Sequence, residues 1–187
     1  MLSHNMNAVV KGPLIVLFVL TLAASSYLAQ PAKADIDPAF RSVPSAELVG
    51  KGRMTYLGFK IFDAELYAPK GTYSSSAPFA LKLTYLRKFK GRKIAESSVD
   101  EIRRQGGVSR KQLEAWGKKM QAIFPNVSAG QSITGVRTAN GSSVFYLGSR
   151  KIGSISDPAF TRRFFAIWLG NNTRNPGLRA KLVGAGS

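Results

Sequence analysis

The chain has 187 residues, with 27 Lys and Arg against 10 Asp and Glu, one histidine and no cysteine. A formal charge of +17 favours anionic partners such as lipid headgroups, envelope polyanions or nucleic acid. The lack of cysteine excludes disulfides and Cys-His chemistry. The only histidine, His4, lies in a segment expected to be removed, so Ser-His-Asp units and structural zinc are excluded as well.

The apolar run Leu14–Leu20 is followed by small residues ending at Ala32-Lys33-Ala34, the pattern of a secretory signal peptide with an Ala-x-Ala cleavage site. It falls short of the roughly twenty apolar residues of a membrane span; the alternative is its retention as an N-terminal anchor. The expected organisation is a signal peptide over 1–34 and one domain over 35–187, periplasmic or secreted after cleavage near Ala34. Loss of Lys11 and Lys33 takes the formal charge from +17 to +15. Export argues against nucleic acid and leaves an anionic membrane surface or an envelope polyanion as partners.

From Ala46 to Tyr56 the sequence reads as a strand loosened by Gly50 and Gly52. In GFKIFDAELYAP, Lys60, Phe62, Ala64 and Leu66 alternate with Ile61, Asp63, Glu65 and Tyr67, which predicts a second strand ended by Pro69 and Gly71. A third, within Pro78–Arg87, puts Phe79, Leu81, Leu83 and Tyr85 on one face. Long antiparallel strands in a meander are the simplest arrangement.

The period then changes. Ile94, Ala95, Val99 and Ile102 follow helical spacing between Gly91 and Gln105, with Gly106-Gly107 as the stop. Ser109 and Gln112 form a capping box for a second helix, whose apolar face is Leu113, Trp116, Met120, Ile123 and Phe124. Short strands follow around Ile133–Thr138, Ser143–Leu147 and Lys151–Ile155, the first two joined by the hairpin signal Asn140-Gly141.

Asp157-Pro158 opens a helix as N-cap plus proline, and Gly170 is expected to end it in the left-handed conformation. Phe160, Phe164, Ile167 and Trp168, widened by Thr161, Phe165 and Leu169, leave only Arg162, Arg163 and Ala166 on its polar side. Asn175-Pro176 repeats the device for a last helix to about Val183. The order βββ-αα-βββ-αα predicts an α+β fold, an antiparallel sheet with helices on one face.

Few chemistries remain open. Asp63 and Glu65, neighbours on one strand face, do not make the cleft-spanning pair that glycoside hydrolysis needs. No Gly-rich phosphate loop is present, and no metal or cofactor is expected. Arg53 either points under the helices as a forked donor for a carboxylate or enolate, or is an exposed strand charge.

GFKIFDAELYAP, APFALKLTYLRKFKGRKIAESSVDEIRRQG and FFAIWLGNNTRNPGLRAKLVG together resemble the bacterial chalcone isomerase-like proteins over roughly 47–183. The resemblance implies the chalcone isomerase-like fold, an open-faced β-sandwich with a large antiparallel sheet under a layer of helices. In the plant enzymes of the family an arginine, two threonines, a tyrosine and an asparagine surround a flavonoid; related members without isomerase activity hold a fatty acid there. Carried over, the tyrosine falls on Lys90, the asparagine on Ser97 and the strand threonine on Phe62, all departures. The helix threonine matches Thr161, and the arginine of G-x-G-x-R has only Arg53, one residue early.

With three donors replaced, the resemblance implies an exported, non-catalytic protein that binds a fatty acid or similar apolar carboxylate. Arg53 is the expected anchor, with Thr161 and Tyr85 lining the mouth, and no catalytic residue is assigned. The alternatives are an intramolecular lyase or isomerase of chalcone isomerase type, and a cell-envelope interaction protein acting through its basic surface.

Overall fold

The computed structural model describes residues 37–184, so the expected signal peptide and its cleavage site lie outside the described residues. Six strands, β1 (Ala46–Tyr56), β2 (Phe59–Pro69), β3 (Phe79–Tyr85), β4 (Ser132–Arg137), β5 (Ser143–Leu147) and β6 (Arg150–Ile155), form one sheet in chain order. Every neighbouring pair is antiparallel. Helices α1 (Gly91–Gln105) and α2 (Arg110–Ile123) are inserted between β3 and β4 without separating those strands; α3 (Pro158–Leu169) and α4 (Pro176–Leu182) follow β6.

Alternation decides which face is covered. Phe62, Ala64, Leu66 and Ala68 of β2 and Phe79, Leu81, Leu83 and Tyr85 of β3 are buried in one core with the helices. Beneath α3, the Phe165 ring lies 4.8 Å from that of Phe79, and Phe164 lies 5.3 Å from Phe145. Each such ring, fully withdrawn from water, contributes about 1.5–3 kcal/mol, so α3 is the central lid of the sandwich. The glycines of β1 serve approach rather than looseness, because a Cβ at Gly50 would collide with the Lys181 carbonyl of α4. The opposite face carries a smaller cluster, Ala39, Val43, Ala80 and Val136, where a 3₁₀ turn at Pro38–Phe40 packs on the sheet.

Helix ends follow local chemistry. Ser109 and Gln112 close the expected capping box. The Oδ1 of Asp157 accepts from Ala159 N at 2.9 Å and Phe160 N at 3.1 Å, and its Oδ2 accepts from the Trp116 indole at 2.9 Å. Burial opposes ionisation of Asp157, but these donors outweigh it and hold the carboxyl below its ordinary pKa.

Two ends differ from expectation. Gly170 is extended (φ −78°, ψ 156°) rather than left-handed, and glycine is needed because a Cβ would lie 2.7 Å from the Ala166 carbonyl oxygen. Asn175 makes no side-chain cap. Instead Thr173 Oγ1 accepts from Asn175 N at 3.2 Å while donating to the Ile167 carbonyl at 2.7 Å, so a threonine ties α3 to α4.

Candidate functional site: a cleft beside α3

Hollows open on both flanks of α3. The one toward β1–β3 has a volume of about 690 Å³, within the roughly 300–1,000 Å³ of small-molecule sites. Its floor is a cross-strand row: Met54 of β1 pairs with Phe62 of β2, which pairs with Tyr85 of β3. Ile94 and Ser97 of α1 form one wall, and Ile167 and Trp168 of α3 the other.

Tyr85 is the polar feature of that floor. It is 5% exposed, with its ring 6.1 Å from Phe62 and 5.6 Å from Phe89. Its hydroxyl has no hydrogen-bond partner among the described residues, and burial alone raises its pKa above the ordinary tyrosine value. A phenol held this way is a neutral donor at physiological pH and cannot serve as a general base.

The charged groups lie at the edge. Lys93 reaches Glu96 at 2.8 Å and Arg174 reaches Glu101 at 2.6 Å; both cations are exposed. The cleft is therefore a largely apolar trough with the Tyr85 hydroxyl in its floor, Ser97 on its wall, and a rim of mixed charge that includes Lys93, Arg174, Asp100 and Glu101.

The structure does not bring Arg53, Tyr85 and Thr161 together. Arg53 does not point under the helices: it faces Asp63 on the other side of the sheet, Nε 2.6 Å from Oδ1 and Nη2 2.9 Å from Oδ2. The hydrogen bond to Asp63 raises the arginine pKa and lowers that of the carboxylate. The reason is parity: strand neighbours point to opposite faces, so the residue beside Arg53, Met54, enters the cleft. Thr161 is 1% exposed and borders a different hollow of about 510 Å³, with Tyr73 and Arg137. Its hydroxyl is engaged, donating to the Asp157 carbonyl at 3.1 Å and lying 2.8 Å from Ser143 Oγ.

Of the other positions the resemblance singled out, Phe62 and Ser97 meet in the cleft, whereas Lys90 does not line it and Lys93, one turn later, does. Sequence reading missed Met54, although two-residue alternation from the inward Gly52 marks it. It also missed Trp168 as cleft wall, because an apolar helix stripe does not distinguish packing from lining.

A six-stranded antiparallel meander, helices on one face and a largely apolar cleft between the layers define an open-faced α+β sandwich with a cleft of small-molecule size. The chain belongs to the chalcone isomerase-like family, whose model matches residues 44–184. Its fold is similar to that of the crystal structure of an Arabidopsis thaliana fatty-acid binding protein, with a TM-score of 0.59, 13% sequence identity, and coverage of 75% of this chain and 88% of the other. No curated protein sequence matches.

Proposed function

We propose that this chain is a non-catalytic binding protein that holds a fatty acid, or a similar apolar carboxylate, in the cleft between β1–β3 and helices α1 and α3. The observation that carries this is the floor of the cleft. Met54 and Phe62 occupy the row in front of Tyr85, so the floor offers apolar contact and one neutral hydroxyl. Cyclising a chalcone requires donors aimed at the phenolate and developing enolate, and loss of one such donor costs on the order of a hundredfold or more in rate. Burial of an acyl chain, by contrast, needs only apolar surface and yields about 0.8 kcal/mol per methylene.

Membership of a family with a fatty-acid binding protein among its fold neighbours supports this reading. The carboxylate would sit where Tyr85 donates, or at the rim near Lys93 and Arg174. Export after cleavage near Ala34 belongs to the same proposal and is read by sequencing the N-terminus of the mature protein.

Native mass spectrometry of gently purified protein, with displacement of a fluorescent fatty acid by unlabelled acids, tests it. Co-purifying acyl chains and displacement that strengthens with chain length are expected. Absence of both, or rapid loss of chalcone absorbance on mixing, would overturn the proposal.

A further inference from the structure

The β1–β2 hairpin ends in an exposed apolar tip that the core does not use. Tyr56 pairs with Phe59 across a two-residue turn in which Leu57 (φ 47°) and Gly58 (φ 78°) are both left-handed. Such a turn favours Asn-Gly, and a γ-branched residue at its first position is strained. Even so the sequence places leucine there, 78% exposed, between Tyr56 at 62% and Phe59 at 56%. Large side chains this exposed and this close together mark an interaction surface.

Cations surround the tip. Leu86 N donates to the Ile61 carbonyl at 2.9 Å, which pins the segment Arg87-Lys88-Phe89-Lys90 beside the hairpin, and the Arg87 guanidinium lies 4.5 Å above the Phe59 ring. Arg87, Lys88, Lys90 and Lys60 are exposed, and none makes a salt bridge among the described residues. Tyr56 is also part of the cleft lining, so this patch is the lip of the cleft.

We infer that the hairpin tip docks on an anionic lipid bilayer, with Leu57 and its aromatic neighbours in the interface and the basic segment on the headgroups, presenting the cleft to the membrane. Apolar side chains flanked by lysine and arginine match the two layers of such a surface, acyl boundary below and negative headgroups above. The inference rests on the carrier reading for its purpose: an acyl chain would pass between bilayer and cleft without crossing open water.

The experiment is co-sedimentation of the purified chain with vesicles of phosphatidylcholine containing phosphatidylglycerol, and with vesicles of phosphatidylcholine alone, at low and high salt. The chain should bind the mixed vesicles, fail to bind neutral ones and release as salt rises. The variant Leu57→Asn suits the left-handed position, so the fold should be kept with an equal or higher thermal midpoint while vesicle partition falls about tenfold. A paired Arg87→Gln, Lys88→Gln variant should bind more weakly and with a shallower salt dependence.

Vesicle binding unchanged in Leu57→Asn, or absent in the unaltered chain, would overturn the inference. So would tight binding of dextran sulfate that outcompetes vesicles and ignores Leu57→Asn, which would assign the cations to a soluble polyanion. Displacement of a fluorescent fatty acid in vesicle-free buffer separates the two ideas. Loss of displacement with vesicle binding intact removes the carrier reading and leaves the docking surface, and the reverse removes the docking surface alone.

Discussion

Arg53 and Asp63 face each other directly across the β1–β2 ladder and form a forked ion pair on the side of the sheet away from the helices. Its position settles what the arginine can do: a guanidinium engaged there does not reach the cleft beside α3. Arg53→Ala should leave fatty-acid affinity unchanged, measured by probe displacement. Because the Asp63 pKa is lowered, whatever stability the pair adds is present above the ordinary carboxylate pKa and is lost as pH falls through the folded value. With both partners more than a third exposed, that contribution is small. Met54→Arg, one residue on, should instead enter the cleft and raise the preference for an acid over the alcohol of equal chain length by several-fold.

Tyr85→Phe separates stability from binding. The hydroxyl has no hydrogen-bond partner among the described residues, so removing it breaks no internal bond, and the thermal midpoint should hold or rise. If the same hydroxyl donates to the ligand, the affinity for a fatty acid should fall by roughly 0.5–1.5 kcal/mol, about two- to tenfold. Calorimetric unfolding and probe displacement on the same preparation read the two effects.

Alkaline titration tests the burial of that phenol independently of any ligand. Tyr85 has a pKa raised by burial, and so, by smaller amounts, do Tyr67 and Tyr73. A group whose folded pKa is raised adds stability that is complete below its unfolded pKa, about 10 for tyrosine, and is lost as pH climbs toward the folded value. Stability should therefore drop above about pH 10, and part of the phenolate absorbance should appear only with unfolding.

Much of this architecture is legible in the sequence where one force dominates. Strict alternation in β2 and β3 names the covered face, since burial of Phe62, Ala64 and Leu66 admits only one register. Ser109 with Gln112, and Asp157 with Pro158, announce helix starts because free N–H groups accept few substitutes. The site was less legible. In β1 polar and apolar residues do not alternate cleanly, and the pairing slips between Leu48 and Gly50 and between Met54 and Thr55. The face of Arg53 therefore depends on pairing with Asp63, which is a tertiary fact. Thr161 lies in the apolar stripe of α3, yet which flank of that helix carries the cleft is set by the crossing of α1 and α4, which helical spacing does not reveal.

Thr161 and Ser143 form a buried hydroxyl pair, 1% and 0% exposed, that joins α3 to β5. Since the Thr161 proton goes to the Asp157 carbonyl, Ser143 is the donor to Thr161. Thr161→Val leaves that serine without an acceptor and should cost about 1–3 kcal/mol in denaturant unfolding. The double variant with Ser143→Ala should recover part of the loss, giving a coupling of about 1 kcal/mol. Fatty-acid affinity should be unaffected throughout, which would place Thr161 in the scaffold rather than at the ligand.

Asp157 concentrates more demands than any other carboxylate among the described helix ends. Its two oxygens hold the first turn of α3 and the Trp116 indole of α2, so one side chain fixes the lid helix in two directions. Asp157→Ala removes the cap and leaves the indole N–H unpaired at a residue 3% exposed; cap loss alone costs about 0.5–2 kcal/mol and the orphaned donor about 1–3. Asp157→Asn keeps an acceptor for the backbone, so it should recover most of the cap while losing the charge. The unaltered chain and Asp157→Asn also differ in pH dependence. The depressed pKa of Asp157 makes its contribution complete above the ordinary carboxylate value and lost on acidification, so the unaltered chain should lose stability toward low pH more steeply than Asp157→Asn. Equal slopes for the two would show that the carboxylate charge contributes nothing beyond the shape of its hydrogen bonds.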